Sequence, residues 1–204
     1  MSPRVSDQHK EQRREQILEA AGRCFARQGY AQTSMQEILR ESGLSAGAVY
    51  SYYQSKQDLY MALMERNLET DLRRFAAELE REGTPWERLR RLVELYMANF
   101  ADPAQTEFLQ LYLLEFLPAS PSNPPLAAAL RRRNQRLQAL FSQVLQEGVA
   151  KGAFRPLSWD DAAALIIAAG DGVRLHALTI GTLAGAQTMY HMFLRNLWQV
   201  VRPD

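Results

Sequence analysis

Residues 43–47, Gly-Leu-Ser-Ala-Gly, match the Gly-x-Ser-x-Gly pattern in which a serine is the nucleophile of a hydrolase. That elbow requires a β-strand before the serine and a helix after it. Here a capped amphipathic helical pattern precedes Ser45, strand signals are nearly absent from the chain, and neither His176 nor His191 has an indicated aspartate partner. No metal-ligand spacing and no phosphate-binding loop is present. We therefore predict that the chain is not an enzyme and needs no cofactor, with a serine hydrolase as the remote alternative.

The residues around Ser45 instead indicate two short helices joined by a tight turn. Gly43 follows the first helix, where a left-handed residue ends a helix at little cost, and Ser45 can cap the second helix. A capping box can begin the first helix. Its N-cap is Thr33 or Ser34, and the partner three residues later is Gln36 or Glu37. This arrangement is a helix-turn-helix, whose second helix can enter a DNA major groove.

Several polar groups lie where DNA would be read. The hydroxyl of Ser45 and the free amides of Ala46 and Gly47 lie at the start of the second helix, which is the end that reads bases and holds phosphates. Lysine in the first turn of the following helix adds positive charge. The DNA-contacting residues predicted from position and type are Ser45, Ala46, Gly47, Tyr50, Ser51, Tyr52 and Lys56. Tyr50 could instead be partly core, and Tyr53 is predicted to be core.

The same stretch resembles the N-terminal domain of the tetracycline-repressor (TetR) family of bacterial regulators. The resemblance covers about residues 11 to 70 and is carried in order by Ile17, Leu18, Ala21, Phe25, Gly29, Tyr30, Val49, Tyr50, Tyr52, Tyr53, Ser55, Lys56 and Leu59. It implies a dimeric, all-helical, ligand-responsive repressor. It also implies that Tyr50, Tyr52 and Lys56 hold the DNA backbone and that Gln36 can reach a base. Ala46 and Ala48 depart from the family, where polar or basic residues are frequent at these positions.

The rest of the chain is also predicted to be helical, which gives an all-α fold. We expect a flexible arm at residues 1–10, a helix-turn-helix domain at 11–70 and a regulatory and dimerisation domain at 71–204. Arg4 and Lys10 in the arm could enter the minor groove or be disordered. A helix of about 26 residues, capped by Ser55, joins the two domains and would span about 39 Å. Three consecutive arginines, residues 131–133, are interpreted as a solvated face.

The second domain shows no catalytic constellation, but polar residues interrupt its apolar faces. Such residues could line a small-molecule pocket between helices, or they could be ordinary core and interface positions. Asp171 is the foremost candidate, because a carboxylate among alanines and glycines needs a partner. The predicted ligand-binding residues are Met97, Phe100, Tyr112, Glu115, Phe116, Phe141, Asp171 and Arg174.

The last two helices are unusually apolar, and the first of them carries small residues on nearly every side. Helices of this kind are buried, either in the core of one chain or in a four-helix bundle with a second copy. The resemblance favours the second copy. The predicted dimer interface consists of Leu165, Ala168, Ala169, Gly172, Met189, Phe193 and Leu197.

Composition excludes several classes of protein. The chain has 204 residues, a hydrophobic fraction of 47% and a net charge of +1, which are ordinary values for a globular protein. No apolar run approaches 18 residues, so we predict no membrane span and a cytoplasmic location. The single cysteine, Cys24, is predicted to be a buried thiol. The resemblance to the TetR family implies a repressor that a small-molecule inducer releases from a near-palindromic operator; the alternative is a dimeric DNA-binding protein without ligand control.

Overall fold

The computed structural model describes residues 7–97, 109–179 and 183–203, and within these ranges it is helical and contains no strand. The main helices in chain order are α1 (Asp7–Gln32), α2 (Met35–Ser42), α3 (Ala46–Tyr50), α4 (Lys56–Glu80), α5 (Pro85–Met97), α6 (Leu111–Phe116), α7 (Pro124–Ala150), α8 (Trp159–Thr179) and α9 (Leu183–Val201). A short α-helical turn (Leu117–Ala119) and a 3-10 turn (Ser120–Ser122) connect α6 to α7. The all-α prediction is confirmed.

Helix α1 begins at Asp7, within the predicted arm, and ends at Gln32. Residues 7–10 are therefore helical rather than part of a flexible arm, and the remainder of the predicted arm, residues 1–6, lies outside the described residues. The helix is interrupted at Gly29, whose φ of 81° and ψ of 160° are accessible to glycine and strained for other residues. The last turn, which carries Tyr30, thus leaves the axis of the main helix.

The predicted helix starts around the turn are confirmed. Ser34 and Glu37 form the capping box of α2, and the backbone N–H of Ser34 lowers the pKa of Glu37 to about 2. Gly43 ends α2 in the left-handed conformation at φ 67°. Ser45 caps α3 and Ser55 caps α4, each by accepting a hydrogen bond from a backbone N–H three residues on. Local sequence chemistry therefore fixes the helix-turn-helix geometry.

Two hydrophobic cores divide the molecule, and we call them the head core and the body core. The head core joins the apolar faces of α1–α4 to residues of α6 and the start of α7. It includes the predicted buried residues Cys24 and Tyr53. Its other buried members include Ile17, Phe25, Ile38, Val49, Leu59, Leu63, Tyr112, Phe116 and Leu130. The packing therefore has no boundary at residue 70, because the helix-turn-helix domain shares its core with α6 and α7.

The body core lies between the C-terminal half of α4 and helices α5, α7, α8 and α9. Its fully buried members include Leu89, Leu92, Val93, Leu137, Phe141, Val144, Leu145, Ala163, Ile166 and Val201. Burial on this scale is the main stabilising term of such a domain, at about 25 cal/mol per Å² of apolar surface. Helix α4 contributes residues to both cores and so connects the head to the body.

Helix α8 is apolar enough to pass a test for a membrane span by length and composition. Over 18 residues its mean hydropathy is 1.3, and 33% of that window is buried in the single chain. The helix also contains Asp171 and Arg174, which are paired with each other inside the body. In the single chain α8 packs on α5, α7 and α9.

Candidate DNA-binding surface and ligand sites

The predicted DNA-contacting residues are all at least partly exposed on the head. Gln36 on α2 is exposed, as are five residues at or next to α3, and two neighbouring residues, Tyr52 and Lys56, are partly exposed. The five exposed residues are Ser45, Ala46, Gly47, Tyr50 and Ser51. A Cβ built on Gly47 would meet no atom within 4 Å. This open surface at the start of α3 can approach a groove closely.

Ser45 is the N-cap of α3. Its Oγ accepts a hydrogen bond from the backbone N–H of Ala48 at 3.3 Å, and α2 rather than a strand precedes it. The strand-serine-helix geometry of a hydrolase elbow is therefore not formed at the Gly-x-Ser-x-Gly match.

Lys56 has an intramolecular role that sequence reasoning did not find. Its ammonium donates hydrogen bonds to the carbonyl oxygens of Tyr30 at 2.7 Å, Ala31 at 3.3 Å and Thr33 at 2.7 Å. It also lies 4.4 Å from the centroid of the Tyr30 ring. A lysine in this position satisfies the free carbonyls at the end of a helix and complements the helix dipole. Lys56 thus ties α4 to the end of α1, and its predicted phosphate contact stays a prediction.

We expect Lys56→Met to lower the free energy of unfolding by about 1.5–3 kcal/mol, because charge-assisted hydrogen bonds to the end of α1 are lost while the aliphatic stem remains. Urea unfolding followed by circular dichroism measures this change. Arg131→Met removes an exposed cation and is the control. If Lys56 also contacts phosphate, the variant should release about one counterion fewer on binding DNA, which lowers the slope of log affinity against log salt concentration by about one. Unchanged stability would contradict the capping role.

A polar cluster, which we call the central cluster, lies inside the body around Asp171. The carboxylate of Asp171 accepts hydrogen bonds from the hydroxyls of Tyr96 at 2.8 Å and Tyr112 at 3.3 Å, and it pairs with the guanidinium of Arg174. Arg174 is 1% exposed, and its remaining donors bond the carbonyls of Gly170 and Tyr96. The predicted need of Asp171 for a partner is thus met within the chain.

The cluster extends to Arg133 and Asp71, which the sequence analysis did not place there. Arg133 is only 3% exposed, so the interpretation of residues 131–133 as a solvated face is wrong for this arginine; Arg131 and Arg132 are exposed. Its guanidinium lies 4.2 Å from the Tyr112 ring centroid. Burial raises the pKa of Asp71, whereas the nearby positive charges of Arg133 and Arg174 act to lower it. The overlooked signal was the position of Arg133 three residues after Leu130 and four before Leu137, on the inward face of α7.

The Nε atom of Arg133 is buried and has no hydrogen-bond partner in the described part of the chain. A buried donor without a partner is destabilising by about 1–3 kcal/mol, so such groups usually receive water or a ligand. Tyr112 and Arg174 both contact Asp171, so the central cluster is one place in the described interior with polar groups that could recognise a polar molecule.

The predicted ligand-binding residues do not all meet at one place. Tyr112, Asp171 and Arg174 meet in the central cluster, and Met97 lies near Gly170 beside it. Phe141 belongs to the apolar body core, where its ring packs on those of Phe75 and Tyr96. Phe100 lies outside the described residues.

Glu115 and Phe116 lie at a second location, the junction between head and body. The Glu115 carboxylate accepts a hydrogen bond from the backbone N–H of Tyr30 at 2.7 Å. A Cβ on Gly29 would lie 2.6 Å from the other carboxylate oxygen, so glycine is needed for this approach as well as for its positive φ. Phe116 packs against Tyr60 of α4. These two residues are thus separate from the central cluster.

A π-helical turn explains how neighbouring residues of α6 reach two sites. In α6 the N–H of Leu117 donates to the carbonyl of Tyr112, five residues earlier. Such wide turns are rare in proteins, and those that do occur are often found at functional sites. Tyr112 contacts the central cluster, whereas Glu115 contacts the end of α1.

The predicted interface residues divide into exposed and buried sets. On α8, Leu165 is 63% exposed, Ala168 and Gly172 are exposed, and Ala169 is partly buried. On α9, Met189 and Phe193 are partly buried. Leu197 is only 7% exposed and packs in the body core, so this residue is not available to a second copy and its prediction as an interface residue is corrected. Further exposed apolar residues on α8 and α9 are Trp159, Leu175, Met192 and Val200.

Comparison with known proteins identifies the two halves of this architecture. Residues 17–63 match the family of bacterial regulatory proteins of tetR type, and residues 85–201 match the C-terminal domain of BetI-type transcriptional repressors. The HTH-type transcriptional regulator YfiR of Bacillus subtilis, itself uncharacterized, is 31% identical over 77% of this chain and 75% of its own.

Solved structures agree with the fold. A TetR transcription regulator from Haloarcula marismortui superposes with a TM-score of 0.84 at 21% identity, over 94% of this chain and 100% of the other. A putative transcriptional regulator from Saccharomonospora viridis, solved in complex with choline, superposes with a TM-score of 0.82 at 26% identity, over 94% and 99% of the two chains.

Proposed function

Because this chain belongs to the TetR family and is a DNA-binding transcriptional repressor of that family, we propose that it binds a near-palindromic operator as a homodimer and is released by a small-molecule inducer. The observation that supports DNA binding is the exposed face formed by α2 and the start of α3. Helix α3 is short and capped, and it presents backbone amides, hydroxyls and a phenol instead of long charged side chains. These groups suit close phosphate contact at a groove edge.

Sequence preference is proposed to depend strongly on Gln36. Ala46 and Ala48 give α3 few polar base readers, although a methyl group can still contact a thymine methyl. Gln36 is exposed on α2, and a side-chain amide can form two hydrogen bonds to an adenine. Ser45 and Ser51 remain as shorter polar readers.

We expect Gln36→Ala to relax sequence preference instead of weakening binding to all sequences equally, because one bidentate base contact provides about 1–3 kcal/mol of discrimination. Selection of binding sites from random duplex DNA, with wild type and variant in parallel, measures the consensus. The consensus found for wild type also tests operator binding itself and its expected two-fold symmetry. Gln57→Ala, an exposed glutamine on α4, is the control. An unchanged consensus for Gln36→Ala would contradict the base contact.

The dimer is proposed to form through α8 with support from α9. Two thirds of the apolar window of α8 is not buried in the single chain, and its exposed face combines Leu165 with the small residues Ala168 and Gly172. A Cβ on Gly172 would meet no atom within 4 Å, so this glycine leaves space that the chain itself does not fill. An exposed apolar face of this kind is typical of a protein-protein interface. A two-fold axis would pack it against the same face of a second copy.

The inducer is proposed to reach the central cluster, where the unpaired Nε of Arg133 supports recognition of a hydrogen-bond acceptor such as a carboxylate or carbonyl. The choline complex of the Saccharomonospora viridis regulator supports ligand control in proteins of this shape. Thermal shift of the purified protein across a metabolite library, followed by operator release with each hit, tests this step. Hits whose shift disappears in Arg133→Met support it. A library without hits that release operator DNA would favour the alternative of a repressor without ligand control.

A further inference from the structure

A directional contact attaches the end of α1 to the body. Gly29 interrupts the helix, and the backbone N–H of Tyr30 donates a hydrogen bond of 2.7 Å to the carboxylate of Glu115 on α6. The carboxylate is partly buried, and it fits closely against Gly29 because this residue has no Cβ. A hydrogen bond to a carboxylate is charge-assisted, and it weakens steeply when donor and acceptor leave a linear arrangement. The contact therefore restricts rotation of α1 relative to α6.

Much of the remaining contact between α6 and the head is apolar. Leu111, Leu113 and Phe116 are buried in the head core, and the Phe116 ring packs against Tyr60 of α4. Apolar burial stabilises the contact in proportion to its area, but it is non-directional. The angle between head and body should therefore depend strongly on the hydrogen bond to Glu115.

Hydrogen bonds also join the end of α1 to the helices that present the DNA-facing residues. Lys56, at the start of α4, donates to the carbonyls of Tyr30 and Thr33, each at 2.7 Å. The next residue, Ser34, is the N-cap of α2, and α2 leads through a tight turn to α3. A change of angle at Glu115 should thus move α2 and α3 together with the end of α1.

On the body side, α6 is joined to α8, the helix that is proposed to form the dimer. The Tyr112 hydroxyl of α6 donates to the carboxylate of Asp171 on α8 at 3.3 Å. The π-helical turn lies between this contact and the contact of Glu115 with α1. Described contacts therefore connect the proposed two-fold interface, through α8, α6 and the end of α1, with the DNA-facing surface of each head.

The angle of the heads matters because two half-sites on DNA have a fixed geometry. Half-sites one helical turn apart are separated by about 34–36 Å, so one inserted base pair moves a half-site by about 3.4 Å and rotates it by about 35°. A dimer whose heads are held at one angle loses contacts at the altered spacing. A dimer whose heads rotate freely adapts to it.

We propose that Glu115 holds each head at a fixed angle to the body and thereby determines which spacing between half-sites the dimer accepts. Glu115 acts as a positioning residue through the backbone of Tyr30 and not by contacting a base. This inference rests on the proposed homodimer on a near-palindromic operator, and it assigns the spacing specificity of that dimer to one side chain.

Fluorescence anisotropy with the selected operator, and with derivatives that have one base pair inserted or removed at the centre, tests the inference. We expect the Kd of wild type to rise at least about tenfold on either derivative and that of Glu115→Ala to rise less than about threefold. Glu115→Gln retains an oxygen that accepts the Tyr30 N–H, so it should discriminate nearly as well as wild type. Arg88→Met removes an ion pair with Glu147 near the other end of α7, and its discrimination should equal that of wild type.

A measurement without DNA tests the head angle directly. Glu19→Cys places a spin label on the exposed side of α1, whereas the native Cys24 is buried. Pulsed electron paramagnetic resonance then gives the distribution of distances between the two heads of a dimer. We expect a wider distribution when Glu115→Ala is added and an unchanged one when Arg88→Met is added, because only the first variant removes the contact between α1 and α6.

Equal spacing discrimination, or equal distance distributions, in wild type and Glu115→Ala would overturn the inference. The same losses in Arg88→Met would also overturn it, because they would then follow from lowered stability. A wild type that binds operators of every spacing equally contradicts the inference alone, whereas a monomer, or a dimer that binds no operator, refutes the proposed function as well. If Glu115→Ala does not fold, Gly29→Ala takes its place with the same expected results, because its Cβ would lie 2.6 Å from the carboxylate.

Discussion

Replacing Arg174 by methionine is expected to lower the free energy of unfolding by about 3–5 kcal/mol, because it leaves Asp171 inside the body without its cation. The guanidinium is 1% exposed and lies 3.9 Å from the centroid of the Tyr96 ring. The variant also loses hydrogen bonds to the carbonyls of Gly170 and Tyr96. Urea unfolding monitored by circular dichroism gives the change in free energy.

A second variant separates loss of the ion pair from loss of packing. The double variant Asp171→Asn with Arg174→Met contains no uncompensated buried charge from this pair, so it should regain part of the lost stability. Arg132→Met, next to Arg133 on the exposed side of α7, should stay within about 0.5 kcal/mol of wild type. A double variant that is less stable than Arg174→Met would show that Asp171 is stabilised by Tyr96 and Tyr112 instead of by Arg174.

Introducing a charge on the exposed face of α8 is expected to convert the protein to monomer and to weaken operator binding at least about 100-fold. Ala168→Arg places a guanidinium in the centre of the proposed two-fold interface, and each dimer contains the change twice. Operator affinity falls because two heads on separate chains lose their effective concentration on the two half-sites. Analytical ultracentrifugation measures the assembly, and fluorescence anisotropy measures binding to the selected operator.

The matched control makes the same substitution elsewhere. Ala76→Arg lies on the exposed side of α4 and should leave the dimer and its operator affinity unchanged. Helical circular dichroism and the melting temperature of Ala168→Arg should resemble those of wild type, because Ala168 is exposed in the single chain. A wild-type monomer would refute the dimer, and a dimeric Ala168→Arg of unchanged affinity would move the interface to another face.

The caps and the turn of the head could be predicted from sequence because their physics is local. Ser34, Ser45 and Ser55 each bond a backbone N–H three residues away, and Gly43 has a left-handed conformation that side chains disfavour. Helix periodicity likewise identified the buried faces that form the two cores. These interactions are formed within one or two helical turns, so neighbouring residue types are sufficient to specify them.

Only the tertiary structure determined which polar residues meet. Arg174 bonds the carbonyl of Tyr96 across 78 residues, and Tyr30 bonds Glu115 across 85. The buried position of Arg133, the capping role of Lys56 and the separation of Glu115 from Asp171 depend on how helices pack and on the π-turn of α6. Helix packing sets these partners through the shapes of whole faces, and no single stretch of sequence contains that information. The sequence alone therefore determined the all-helical fold and the caps of the helix-turn-helix, whereas the packing of distant helices determined where the candidate ligand-binding residues lie.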